Sequence, residues 1–323
     1  GSEMCIRDSR MTLIAEVARA YYELIALDNE LSIVRQTLET RKEGVHQARL
    51  RFEGGLTSET SYQQAQVELA TTATLIPELE RRIAVKEHEI ALLAGEYPDR
   101  IARQAMDPAA TMPEHLPVGL PSELLRRRPD VRRAEQALEA AYAAVGVAYT
   151  DRFPRIQLSA AIGVENDLLS SLFSSPYSFV SGAIAGPVFG FGKKRARYQA
   201  QQAAYRQECR RYEKTVLTVF KEVSDAIVTY DSSLRASELK RNLERAARSY
   251  VELARLQYLN GVINYLDVLD AQRRYFDAQI GLSNALRDQR LARVQLYKAL
   301  GGGWENAPAS PADSTVPAQS SVK

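Results

Sequence analysis

The residues best placed to do chemistry are three side chains within one helical turn, Leu266, Asp267 and Asp270. Two carboxylates at this spacing can attract a cation, repel an anion or neutralise the start of a helix. Asp267 stands three residues after Asn264, a good N-cap, and is read mainly as a capping partner at the positive helix end. Asp270 and Leu266 remain as the open pair. No catalytic set accompanies them. His46, His88 and His115 lie far apart, and Cys5 and Cys209 make no disulfide framework, so neither a metal site nor a cofactor is expected. No nucleophile with its base and no phosphate loop stands out, and the chain reads as a non-enzyme. Arg126, Arg127, Arg128, Arg132 and Arg133 form a basic cluster that could hold an anion. The overall balance of 42 basic and 40 acidic residues argues against a nucleic-acid binder, and pairing with local carboxylates is the simpler reading.

The elements that carry these residues are duplicated. Sliding the chain against itself by 206 residues aligns Glu16 with Glu222, Arg49 with Arg255, Gly55 with Gly261, Gln66 with Gln272 and Gly95 with Gly301. A tip glycine and an end glycine in register mark a repeated supersecondary unit. Each copy reads as helix, tight turn, helix. No Gly or Pro interrupts Lys193 to Asn260, and Val216, Val219, Phe220, Val223, Ala226, Ile227, Tyr230 and Leu234 form a helical stripe. A helix of that span is about 100 Å long, beyond globular helices and suited to a coiled-coil assembly. Gly55 and Gly261 supply left-handed residues, and Ser58 and Asn264 the caps of the returning arms. Pro77 and Gly281, in the two return helices, are positions where a bend is tolerated.

Between the copies the pattern changes. Residues 96–122 are rich in Pro and read as a connector, and a helix follows, entered around Pro129 and broken at Phe153-Pro154. Ile156, Leu158, Ala160, Ile162 and Val164 then alternate with Gln157, Ser159, Ala161 and Gly163, the period of a strand with one apolar face. Residues 178–189 form a second, weaker candidate strand. Phe153, Phe173, Tyr177, Phe179, Phe189 and Phe191 sit near the strand ends, where a lipid-facing barrel carries an aromatic girdle. A soluble hairpin packed on the helices fits the period equally well. An isolated hairpin is marginal in water and its open edges are intolerable in lipid, so partner strands from other chains are the economical solution. There is no run of 18 apolar residues and no signal peptide.

The segments LPVGLPSELLRRRPDVRRAEQALEAA, FPRIQLSAAIGV, GPVFGFGKKRARYQAQ and NYLDVLDAQRRYFDAQ resemble, in order, hallmark segments of the TolC-like outer-membrane efflux factor family, specifically its NodT-type lipoprotein branch. The resemblance covers about residues 11–304. It implies a mainly α fold with a small β part: very long antiparallel helical hairpins building a periplasmic α-barrel, plus a β-hairpin contributing to a trimeric transmembrane β-barrel. It further implies a homotrimer spanning outer-membrane lipid. Its partners would be a periplasmic adaptor (membrane fusion) protein and an inner-membrane pump of the RND type. In that arrangement Asp270 and Leu266, with Asp267 beside them, ring the periplasmic constriction. Gly55, Leu56, Thr57 and Ser58, with Gly261, Val262, Ile263 and Asn264, are the adaptor-docking tips. Arg255 and Tyr258 join contacts that hold the entrance closed. The first repeat has Ser61 and Gln64 where the second has Asp267 and Asp270, so the charge comes from the second hairpin alone.

The sequence departs from the family pattern in holding one strand pair, in Gly190 before the long helix, and in showing no lipobox. By the repeat offset, roughly 96 residues of the first unit are expected upstream, together with any lipid anchor. The expected organisation is a non-native or disordered extension (1–10), a first helical hairpin (11–95), a connector (96–122), a helix (123–152), a transmembrane β-hairpin (153–190), a second long helical hairpin (191–301) and a disordered tail (302–323). The function expected is a passive outer-membrane duct for drugs or other small molecules. The alternatives are a duct for type I protein secretion and a soluble coiled-coil scaffold.

Overall fold

The computed structural model describes residues 2–103, 125–164, 176–186 and 192–302. Its helices are α1 (Ser2–Glu53), α2 (Glu59–Ala94), α3 (Pro129–Thr150), α4 (Lys193–Leu259) and α5 (Tyr265–Ala299), and its strands are β1 (Arg155–Val164) and β2 (Pro176–Ala185). The chain divides into two compact units, Asp130–Thr218 and Ser2–Pro129 with the chain from Val219 onward, and α4 runs through both.

The second unit is held by seams of heptad spacing. On α4 the buried residues are Val219, Val223, Ala226, Tyr230, Ser237, Glu244, Ala247, Ala254 and Tyr258. These are steps of four, three and seven. On α1 the stripe is Ala20, Leu24, Leu27, Leu31, Val34, Arg41 and Ala48, and on α2 it is Ala65, Glu68, Thr72, Leu79, Ile83 and Ile90. A repeat of 3.5 residues keeps one face on a neighbouring helix only if the helices coil around each other, as in a coiled coil. The stripe on α4 is therefore narrower than a 3.6-residue wheel implies: Val219, Val223, Ala226 and Tyr230 are buried and Val216 and Leu234 half-buried, while Phe220 and Ile227 are exposed. The main core joins Ala20, Leu24, Leu27, Leu31 and Val34 to Leu79, Ile83 and Ile90, with Phe276 of α5 packed against it. Asn29 reaches Ser283 of α5 at 2.8 Å, and Arg248 of α4 donates to the Tyr275 hydroxyl of α5 at 3.2 Å.

Helix α2 continues through Pro77. Gly281 lies where a Cβ would meet the Lys240 side chain at 3.6 Å, an ordinary contact. Residues 2–10 continue α1 upstream, so the helix starts at Ser2 rather than at the abrupt start expected near Met11. Arg128, from the basic cluster, is buried. It donates to the Ala299 carbonyl at 3.0 Å, satisfying an orphan acceptor at the end of α5, and pairs with Glu222 of α4 at 2.7 Å. Gly301, at φ +77°, fits closely beside this side chain: a Cβ there would stand 3.1 Å from Arg128 Cγ.

In the first unit, β1 and β2 pair antiparallel from Arg155↔Ala185 to Val164↔Pro176. Strict alternation puts Ile156, Leu158, Ala160, Ile162, Val180 and Ile184 on one face, with Gly182 and Ser178 between them, so that face is largely apolar. The other face holds Gln157, Ser159 and Ser181. It also holds Tyr177 and Phe179, whose rings stack at 6.4 Å. Both faces are exposed within one chain. Tyr177 and Phe179 lie on the face of Ser181, because their parity matches Ser181 rather than Val180. Tyr177 covers Gly163, its cross-strand partner, whose Cβ would stand 2.9 Å from the ring. Phe173, Phe189 and Phe191, together with Gly190, lie outside the described residues, as do 104–124 of the connector and the tail from 303. No described helix is long and apolar enough to cross a membrane.

Candidate functional site

Both tips are built by the same turn. Gly55 and Gly261 adopt φ +72° and +74°, the left-handed conformation that an L side chain resists. The amides of Leu56 and Val262 then bond the carbonyls of Arg51 and Gln257 at 2.8 and 2.9 Å, closing α1 and α4 in a Schellman-type pattern. Ser58 and Asn264 follow in extended conformation at the starts of α2 and α5. Leu56 and Val262 are exposed apolar side chains at the turns. Ile263 packs against the tip core of Ala48, Ala65, Tyr258, Tyr265, Val268 and Leu269, drawn from all four helices of this unit.

The caps differ from simple expectation. Ser58 makes no side-chain cap bond. At α5 the bond runs from the Asn264 amide to the Asp267 carboxylate at 3.0 Å, the half of a capping box that the acidic partner supplies. Asp267 is therefore tied to the helix start. Asp270, one turn on, is exposed and accepts from Arg274 at 2.7 Å. Leu266 is exposed beside it. The Asp270 carboxylate thus has a cation four residues away on its own helix, which the sequence reading left out.

Tyr258 is buried, while Arg255 is exposed. The Tyr258 ring packs on Tyr265 at 5.3 Å and lies under the Arg51 guanidinium at 4.7 Å, but its hydroxyl has no hydrogen-bond partner among the described residues. Within one chain, Tyr258 is thus held through its ring. The buried Arg51 Nε and Thr57 Oγ1 are likewise unpaired among the described residues, so three unsatisfied polar atoms gather at the tips. Burial, reinforced by neighbouring Tyr258, pushes the Tyr265 hydroxyl up to about 12.

Further along the seams lies a charged core that sequence reasoning missed. Glu68 of α2 pairs with Arg41 of α1 at 2.9 Å and with Arg273 of α5, whose Nε donates at 2.9 Å. Arg41 also donates to the Glu68 carbonyl at 2.6 Å and to Thr72 Oγ1 at 2.5 Å. The hydrogen bond from Arg273 holds the Glu68 carboxyl below its usual range, and burial lowers the Arg41 guanidinium, partly offset by Glu68. Arg41 and Glu68 occupy seam positions, so a heptad reading that allowed polar seam residues would have found them.

The comparisons agree with this architecture. The model of the outer membrane efflux protein family matches residues 2–96 and 120–302. The outer membrane protein OprJ of Pseudomonas aeruginosa is 32% identical over 311 residues, covering 94% of this chain and 64% of its own length. The solvent efflux pump outer membrane protein SrpC of Pseudomonas putida is 35% identical over 310 residues, covering 94% of this chain and 65% of its own. The solved outer-membrane channel OprN superposes with a TM-score of 0.85 at 30% identity, over 94% of this chain and 68% of that one. The chain thus spans just under two thirds of the length of the curated relatives it matches. The long heptad-seamed hairpins, the strand pair and the family match agree: the chain belongs to the outer membrane efflux protein family.

Proposed function

We propose that this chain is part of a passive, trimeric outer-membrane duct that carries drugs or other small molecules outward from a periplasmic adaptor and an inner-membrane pump of the RND type. The observation that carries the reading is a strand pair with one largely apolar face and, among the described residues, two unpaired edges. Such edges are tolerated in lipid only when strands of other chains close a barrel. The helices support the same closure. Leu239, Leu243, Tyr250 and Leu253 form an exposed apolar stripe on α4, and Leu243 and Leu253 each stand one residue before a seam position, about 100° around the helix. A helix with two seams has two neighbours, and a second copy of this chain supplies the further one.

In this duct Asp270 and Leu266 ring the periplasmic constriction, and a carboxylate ring favours cations over anions. Gly55–Ser58 and Gly261–Asn264 meet the adaptor, with Arg255 and Tyr258 in the closing contacts. The duct itself has no enzymatic step. The direct test is to express the full-length protein in an efflux-deficient strain, isolate outer membranes, and reconstitute the protein in planar bilayers. Heat-modifiable trimers, discrete channels and restored drug resistance are expected. A soluble monomer would overturn the proposal, and resistance unchanged beside restored protein export would favour the secretion reading.

A further inference from the structure

We infer that a basic, aromatic-backed collar at the helical end of the β-hairpin binds the phosphate groups of anionic phospholipids in the periplasmic leaflet. The inference rests on the membrane-spanning reading of the strands. Each strand has ten residues, about 33 Å of extended chain, or about 23 Å of height when tilted near 45°. That matches the roughly 25 Å apolar band of an outer-membrane barrel. One boundary of the band therefore falls at Arg155 and Ala185, the pair nearest the helices.

Six cations crowd that boundary: Arg152, Arg155, Lys193, Lys194, Arg195 and Arg197. In a chain with 42 basic and 40 acidic residues this is a strong local imbalance. Asp151 is the one carboxylate paired with them among the described residues, and it is already shared, accepting from Arg155 at 3.0 Å and lying 3.5 Å from Arg197. That second contact brings the start of α4 beside the end of α3. Arg152 lies over two rings, Tyr149 at 5.5 Å and Tyr198 at 5.6 Å, and Phe153 packs edge-on against Tyr149. Lys193 and Arg195 are exposed, with no ion pair among the described residues. They stand in the first turn of α4, where the helix dipole adds positive potential.

Aromatic bodies with cationic heads suit the headgroup layer, where rings tolerate partial burial and cations meet phosphate. Position decides the class of partner. The collar stands at the strand end next to Ile156 and Ile184, Arg155 itself lying on the opposite face, so an anion held by the other cations beside that apolar face must come attached to an apolar chain. A nucleic acid or a free anion offers no match for that face. By contrast, the Arg126–Arg133 cluster has internal partners, Arg128 being buried against Glu222.

The test uses trimers of the full-length protein in phosphatidylcholine nanodiscs doped with spin-labelled phosphatidylglycerol or spin-labelled phosphatidylcholine. The motionally restricted fraction of each lipid is measured by electron paramagnetic resonance. Phosphatidylglycerol should be preferred, and the preference should fall about fivefold for each charge removed in K193Q, K194Q and R195Q. It should survive in K193R/K194R/R195K, which keeps the charge. Absence of preference in the unmodified trimer, or an unchanged preference in the glutamine variants, overturns the collar. So does displacement of the lipid by inorganic phosphate at matched ionic strength, which would mark a free-anion site. Single-channel conductance of the same samples separates this outcome from failure of the duct reading. Channels without lipid preference reject the collar alone.

Discussion

The guanidinium of Arg51 lies 4.7 Å from the ring centroid of Tyr258, tying the last turn of α1 to the last turn of α4. The two hairpins are thus joined at their tips by a cation on an aromatic face, a contact stabilised by about 0.5–2 kcal/mol depending on its desolvation. Because the Tyr258 hydroxyl is buried and unpaired among the described residues, the ring and the hydroxyl make opposite contributions. Tyr258→Phe should be neutral or stabilising by up to about 1 kcal/mol, whereas Tyr258→Ala should cost about 3–5 kcal/mol. Denaturant melts of both variants check this, and a large loss in Tyr258→Phe would mean that the hydroxyl is bonded in the assembled protein.

Glu68 is the shared anion between buried Arg41 and more exposed Arg273. Removing it strands a buried guanidinium, so Glu68→Ala should cost about 3–5 kcal/mol. Arg273→Ala should cost clearly less, since Arg41 keeps its partner. Since the folded-state pKa of Glu68 is depressed, its contribution is complete above the ordinary carboxylate pKa and is lost as pH falls through the lower, folded value. Melting temperatures measured downward from pH 5 should drop more steeply in the parent than in Glu68→Gln.

Tyr265 gives the alkaline counterpart. Its folded pKa is raised from 10.0 to about 12, so the fold favours the neutral phenol. Stability is at its full value below pH 10 and declines as pH rises toward 12, by about 2–3 kcal/mol in all. Tyr265→Phe should flatten that limb, and an unchanged pH profile would assign the alkaline loss to other groups.

Asp270 and Arg274 form an exposed pair, so their effect on stability should be within about 1 kcal/mol. Their effect on conduction should be larger. Asp270→Ala removes a carboxylate and leaves Arg274 uncompensated, raising resting conductance and shifting selectivity toward anions. Arg274→Ala should shift it toward cations. Planar-bilayer reversal potentials in asymmetric salt check both, and two unchanged potentials would remove this pair from the conduction path.

The tip glycines combine strain with exposure. A Cβ at Gly261 would meet nothing within 4 Å, so Gly261→Ala tests the backbone alone and should cost about 1–2 kcal/mol. Gly55→Arg or Gly261→Arg adds bulk at the surface proposed to meet the adaptor. These variants should abolish drug resistance while trimers still form on gels, and retained resistance would move the docking surface elsewhere.

Much of this protein was legible in its sequence because it is written in short-range codes. The repeat of 206 residues placed both hairpins, since helix spans and left-handed glycines depend on local backbone preference. Alternation in 155–164 located the first strand and its apolar face, and the hallmark segments named the family. Which residues form the seams was decided by tertiary structure. A 3.6-residue wheel includes Phe220 and Ile227, and coiling of α4 about its neighbours excludes them. The same holds for Arg41, Glu68 and Arg273, whose partners lie on three different helices, and for Arg51 over Tyr258. Their meeting depends on how the helices align, a relationship that no local pattern encodes. Asp270 was found from spacing and resemblance, while the Arg274 that tempers it emerged once side-chain directions were fixed.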